Sequence, residues 1–328
     1  MNKLKRLLLN FKSNNKNIND DDHIVLQKIK WININTLENI KIHSDFYPHI
    51  LIAKRDSSVD NNIKNTVIIK EYTKINEFIT ELMIMEKITK INVPIPHVYG
   101  VYQNNVRPQQ SFCLVMEKIN ADDIIDHIQQ KNLYYNDKLN IIIQLITCVN
   151  KLHNYNISHR DIKCENLLVN KINNNVKLTM IDFAVSIIVN NDQEYSYDYV
   201  GTRNYFSPEL HFKSKYLPKN NDIWSVGVII YILLTDGYYP FMYDNNNNNN
   251  NNINKFYKHC IKNIRYDMID SKISGILGMI FTKEKKRITS VELCNKLIPI
   301  LNNIILENNI AKNDIMMSPG RSIFSKTF

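Results

Sequence analysis

The sequence predicts an α+β chain in which a small strand-rich lobe precedes a larger, mainly helical one. Three observations carry that prediction. Up to residue 118, short apolar runs rich in β-forming residues are separated by polar turns; one amphipathic stripe interrupts them; and past residue 135 the apolar residues recur at helical spacing. A chain of 328 residues can fill one large two-lobed core, because single cores rarely outgrow about 250 to 300 residues.

In chain order, residues 1–37 read as a polar, Asn-rich extension, since SNNKNINDDD offers little to bury. Leu4, Leu7, Leu8 and Phe11 line one face of a short basic helix, but a helix that short is marginal in water. Residues 50–53, 67–69 and 113–116 have strand character and define a small lobe over 38–118. Within it Ile75, Phe78, Leu82, Met85 and Ile88 repeat at three and four residues, which predicts an amphipathic helix. In the large lobe, 119–301, Leu139, Ile142, Ile143, Ile146, Val149 and Leu152 keep helical spacing behind a cap expected at Asn136. Residues 224–234 are apolar all round, as in a helix buried inside a larger domain. The insert at 244–254 holds an unbroken Asn run, which cannot build a core and is expected to project as a disordered surface loop. Residues 302–328 read as a C-terminal tail that is free or docks through Phe324 and Phe328 onto a regulatory partner.

Composition narrows the function classes. Lys and Arg exceed Asp and Glu by 41 to 32, giving +9, but the charges are dispersed, so a solvated basic surface is expected rather than a nucleic-acid interface. The cysteines Cys113, Cys148, Cys164, Cys260 and Cys294 form no C-x-x-C pair, which argues against a disulfide framework or zinc site and for a reducing, cytoplasmic setting. The opening MNKLKRLLLNF has too short an apolar run for a signal-peptide core, and no stretch approaches the roughly 20 apolar residues of a membrane helix.

The strongest chemical signal is HRDIKCENLL at 159–168. Asp161, Lys163 and Asn166 stand in one loop between apolar segments, which sets a base, a cation and a metal ligand around one point. Alone, such a trio also suits a polar turn. It is followed, however, by an ordered series: Asp182 and Phe183, Gly201 and Thr202, Ser207-Pro208-Glu209, DIWSVG from Asp222, and Arg287. With these motifs in this order and spacing, the sequence resembles the eukaryotic protein kinase superfamily over roughly residues 38–300. Lys163 and Thr202 are similar to the Ser/Thr division, and DIWSVGVIIYILLTDGYYPF to its calcium/calmodulin-dependent branch.

The resemblance implies a two-lobed kinase fold, with a small antiparallel sheet and one main helix above a helical lobe, and a reaction that moves the γ-phosphate of ATP to protein hydroxyls with Mg²⁺. It makes Asp161 the base that accepts or orients the hydroxyl proton and Lys163 the residue that steadies the phosphoryl group. Asn166 and Asp182 would hold Mg²⁺. Lys70 in VIIK would touch the α- and β-phosphates, with Glu81 as its ion-pair partner. Ile42, Ile50, Glu117 and Leu168 carry over to the nucleotide site, Glu117 opening a hinge at 117–119 beside a large gatekeeper, Met116. Glu209 and Arg287 carry over as a buried ion pair. Arg160 usually pairs with a phosphorylated residue three before the Gly-Thr; here Asp198 stands in that place with a permanent charge.

Three departures from the family pattern weigh against efficient transfer. The phosphate-covering loop maps to Ile42 through Ile50, IHSDFYPHI, where His43, Asp45 and Pro48 replace its three glycines; side chains obstruct close approach of backbone N–H groups to phosphate. Ile68 stands where an alanine faces the adenine, and Ala184 replaces the glycine after Phe183, costing of order 1 kcal/mol if that backbone needs positive φ. An active Ser/Thr kinase and a catalytically silent scaffold are therefore both carried forward, with a small-molecule kinase behind them. Asp122 and Asp123 either attract a basic residue of the peptide or the ribose hydroxyls of ATP, or begin and cap the next helix.

Overall fold

The computed structural model describes residues 32, 37–42, 49–55, 66–104, 111–173, 175–241, 253, 257 and 264–317. The Asn run at 245–252, the loop residues 43–48 and the tail residues 318–328 lie outside them, as do residues 1–31.

The small lobe is a five-stranded antiparallel sheet built from β1 (Leu37–Ile42), β2 (Ile50–Arg55), β3 (Thr66–Tyr72), β4 (Val98–Asn104) and β5 (Ser111–Glu117), in the order β1-β2-β3-β5-β4. Strand alternation splits β3 into two faces. Val67 and Ile69 are fully buried with Leu51, Ala53, Cys113 and Val115 in one apolar cluster. Ile68, Lys70 and Tyr72 face the other way, toward α1 (Ile75–Thr89) and the large lobe. The predicted stripe forms the buried side of α1: Phe78, Leu82, Met85 and Ile88 join the main core. Ile32, inside the expected extension, is buried against the sheet, its N–H donating to the Val101 carbonyl at 2.9 Å.

The large lobe begins at β6 (Asp122–Asp123), which pairs with β8 (Leu167–Ile172), itself paired with β9 (Asn175–Met180). Asp123 caps α2 (Ile124–Gln129), accepting from the Asp126 N–H at 2.9 Å, which realises the capping alternative for that residue. Helix α3 (Tyr135–Asn154) buries the expected apolar stripe, but its cap is Tyr134 rather than Asn136: the Tyr134 N–H is accepted by Asp137. Asn136 instead exchanges side-chain hydrogen bonds with Asn308 and Asn309. Strand β7 (Ile157–Ser158) pairs with β10 (Ile187–Ile188). Beyond the short α4 (Pro208–His211), α5 (Pro218–Leu234) is buried on nearly every side, with Trp224 stacked on Phe241 and edge-on to Phe281. Helix α6 (Ser271–Ile280) precedes α7 (Ser290–Met317), which continues well past residue 301 because Leu301 and Ile304 extend its buried stripe against α3. Among the described residues no helix is long and apolar enough to cross a membrane.

Candidate active site

Lys70 lies on the cleft-facing side of β3 and Glu81 on the buried side of α1, so the strand and helix bring them together across eleven residues. The Lys70 ammonium donates to both Glu81 oxygens, at 3.0 and 2.9 Å, and to Asp182 Oδ1 at 2.7 Å. Burial would lower the Lys70 pKa, but Glu81 and Asp182 outweigh it and raise it. Burial would likewise raise the Asp182 carboxyl, yet the Lys70 charge and hydrogen bond hold it below its ordinary value. Asp182 itself sits at φ 65°, in the left-handed region. Ala184 is not among the positive-φ residues, so the backbone cost expected for replacing that glycine does not arise here.

The second cluster is the loop between β7 and β8. Thr202 Oγ1 donates to Asp161 Oδ1 at 2.7 Å, while Lys163 Nζ lies 3.0 Å from Thr202 Oγ1 and 3.1 Å from Asp161 Oδ2. Asn166 spends its Nδ2 on Asp161, at 2.9 Å to the carbonyl and 3.3 Å to Oδ2, which leaves its Oδ1 as the atom able to ligate a cation. Gly201 puts Thr202 there at φ 105°, and a Cβ on it would lie 2.5 Å from the Arg160 carbonyl oxygen, so only glycine fits.

The strand pairing of β8 with β9 joins the two clusters. Leu167 faces Met180, and the Ile181 N–H donates to the Asn166 carbonyl at 3.0 Å, setting Asn166 and Asp182 at adjacent strand ends. Phe183 is fully buried against the His159 ring, 4.7 Å between centroids. The buried Asp222 carboxylate braces the loop, accepting from Ser158 Oγ and from the N–H groups of His159 and Arg160, with His153 Nε2 at 3.0 Å. Four partners and the nearby histidines outweigh burial and keep its pKa low.

Arg160, at φ 66°, points its guanidinium to Asp198 Oδ2 at 2.7 Å and to the Val185 carbonyl, so the carboxylate occupies the expected place. Tyr216 pairs its backbone with Ser196, and Lys213 and Lys215 lie over the rings of Tyr199 and Tyr195. Glu209 and Arg287 form the expected buried pair at 3.0 Å.

The remaining sequence candidates scatter. Ile50 sits opposite Lys70 in register, and Ile68 faces Ile52 and Met116. Leu168 points away from its buried neighbours Leu167 and Val169, and Glu117 ends β5 with its N–H on the His97 carbonyl. Ile42 ends β1 in an exposed position. Thr202 and Asp222, which the sequence marks only as parts of the motif series, both touch the site, as does Tyr72, which the sequence does not mark; for Tyr72 the available signal is its shared strand parity with Lys70.

The model of the protein kinase domain family matches residues 52–297. The chain belongs to the protein kinase family. Its match starts after the stretch at 42–50 that lacks the loop glycines. The chain is 34% identical over 166 residues to myosin light chain kinase A of Dictyostelium discoideum, covering 48% of this chain and 55% of the relative. It is 32% identical over 173 residues to a calcium and calcium/calmodulin-dependent serine/threonine-protein kinase of Pisum sativum, covering 51% and 31%. It is 29% identical over 191 residues to the calcium/calmodulin-dependent protein kinase type II alpha chain of Drosophila melanogaster, covering 58% and 36%. The matched segment thus spans about a third to a half of these relatives, and the likeness lies with the calcium/calmodulin-dependent branch of the kinases.

Proposed function

We propose that this kinase-family chain transfers the γ-phosphate of ATP to serine or threonine hydroxyls of proteins. The observation that carries the reading is the single buried ammonium of Lys70 shared by Glu81 and Asp182, one strand pairing away from Asp161 and Asn166. A buried cation between two carboxylates, next to an amide oxygen and a third carboxylate, suits a polyanion and a divalent metal. The donor set fits Mg²⁺, which keeps several waters and takes one or two carboxylates together with substrate phosphates. When bound, Mg²⁺ neutralises charge on the phosphate oxygens. Asp182 and the Asn166 Oδ1 would hold it, and Lys70 would reach the α- and β-phosphates while Glu81 keeps it in place. Asp161 would accept the proton of the attacking hydroxyl, with Thr202 and Lys163 fixing its carboxylate.

The test is incorporation of phosphate from Mg·ATP into a mixed Ser/Thr peptide library by the full chain and its Asp161→Asn variant. Transfer that falls at least about 100-fold in the variant supports the reading. A second reading, a binding module on the kinase scaffold, is favoured by His43, Asp45 and Pro48 in place of loop glycines and by Ile68 on the cleft face. Equal, background-level counts for parent and variant, together with nucleotide-independent melting, would establish that one instead. Protein acceptors, a cytoplasmic setting and a regulatory partner belong to the same proposal.

A further inference from the structure

Tyr72 closes β3 with its ring 5.6 Å from Phe78 and its hydroxyl donating to Glu81 Oε2 at 2.5 Å. Phe78 and Glu81 lie one turn apart on α1, so one tyrosine touches both of them on the same helical face. Phe112, paired with Tyr72 in the sheet, stacks on Phe78 and completes the apolar wall. The Lys70 ammonium sits 5.5 Å from the Tyr72 ring centroid.

An ammonium has three N–H donors. Lys70 makes three hydrogen bonds, two to Glu81 and one to Asp182. It can donate to a phosphate only by releasing one of them. Releasing Glu81 Oε2 would ordinarily strand a buried carboxylate oxygen, but that oxygen is also the one that accepts from Tyr72. Burial and the Glu81 charge push the Tyr72 phenol well above its ordinary pKa, so the hydroxyl remains a donor at any working pH.

We propose that Tyr72 is a positioning residue of the nucleotide site: its hydroxyl holds Glu81, and with it α1, while Lys70 hands a donor to the nucleotide phosphates. The proposal rests on the kinase reading above and adds a residue that acts on nucleotide through Glu81 without touching it. Tyr72 leaves the peptide side untouched, so its effect is confined to nucleotide affinity.

The experiment measures the Kd of a fluorescent ATP analogue with Mg²⁺ on the full chain, for the parent, Tyr72→Phe, Glu81→Gln and the double variant, beside phosphotransfer kinetics with an Asp161→Asn control. Melting curves of each nucleotide-free variant set an assay temperature at which all are folded. Tyr72→Phe is expected to raise Kd about three- to tenfold and to leave the KM for peptide unchanged. In the Glu81→Gln background the same change should add less than about twofold, because both act through one carboxylate. If Tyr72→Phe is not folded at any usable temperature, 4-aminophenylalanine at position 72, which keeps an N–H donor at the same point of the ring, takes its place and should bind within about threefold of the parent. Unchanged Kd in Tyr72→Phe, full additivity with Glu81→Gln, or a tenfold rise with 4-aminophenylalanine overturns the proposal while leaving the kinase reading intact. A parent that binds nucleotide without transfer overturns the kinase reading and leaves the Kd comparison to decide Tyr72. A parent that neither binds nor transfers overturns both.

Discussion

The loop carrying Asp161 is braced from within the large lobe, whereas the cluster around Lys70 is assembled from both lobes. Asp222, fully buried in α5, collects two backbone N–H groups and two side chains from residues 153–160, fixing the loop before any ligand arrives. Lys70 and Glu81 come from the small lobe and Asp182 from the segment after β9, and they are joined by charge. Each region holds one non-glycine residue in the left-handed region, Arg160 and Asp182, a conformation that costs of order 1 to 3 kcal/mol and persists only where surrounding contacts over-determine it. Arg160 has its own N–H on Asp222 and its guanidinium on Asp198 and Val185; Asp182 has Lys70. The difference teaches that stability should be concentrated at the Asp222 brace and nucleotide response at the Lys70 cluster.

Four experiments sharpen or break that division. The largest effect is expected for Asp222→Ala, which strands four buried donors: a loss of about 3 to 5 kcal/mol in unfolding free energy, read by denaturant titration. A change under about 1 kcal/mol would mean that the loop is held elsewhere. Lys70→Met, which leaves Glu81 its Tyr72 hydrogen bond and a part-exposed Asp182 carboxylate, should cost less stability than Asp222→Ala but cut kcat/KM at least about 100-fold and abolish nucleotide-induced stabilisation in thermal melting. A variant that loses its fold with its activity would erase the distinction.

Acid titration comes next. Glu209, Asp182 and Asp222 have folded pKa values below their ordinary 4.5, 3.8 and 3.8. Arg287 and the Tyr257 hydroxyl overcome burial at Glu209. A depressed carboxyl contributes stability that is complete above its unfolded pKa and is lost as pH falls through the folded one. The melting temperature is therefore expected to be flat from about pH 7 to 5 and to fall below about 4.5. Asp123 and Glu284, pushed up mainly by burial, act in the opposite sense. Glu209→Gln isolates one contribution and should flatten the acid limb; an unchanged limb would deny the buried pair any role in it.

The smallest effect belongs to Asp198→Ala. The carboxylate is 62% exposed, so its pairing with Arg160 is screened, and activity should fall about two- to fivefold. Equal activity would show that the segment is ordered without this contact.

Much of this architecture is legible in the sequence, for physical reasons that also mark the limits. Lys70 and Glu81 were readable through the resemblance of VIIK, and of the helix eleven residues on, to the kinase pattern, which implies their pairing. The Asp161 loop was readable because the ordered series after it, from Asp182 to Arg287, sets the trio apart from an ordinary polar turn. The Asn136 cap was misplaced because several polar residues compete at a helix start, and Asp137, three residues beyond Tyr134, decides the outcome. Helix α7 outran its expected end because Leu301 and Ile304 continue a stripe whose partner, α3, lies far away in sequence. The penalty feared at Ala184 depended on a dihedral that the sequence cannot supply; Asp182 took the left-handed position instead. Tyr72 was missed because its reach to Glu81 depends on how closely α1 packs on β3.

The central claim is that the two clusters form one site for a metal-bound triphosphate. Calorimetric titration of ATP into the full chain, with and without Mg²⁺, tests it most directly when repeated on Asp182→Asn. The account predicts Mg²⁺-dependent binding in the parent whose metal dependence disappears in the variant. Binding that is equally metal-dependent in both would contradict it.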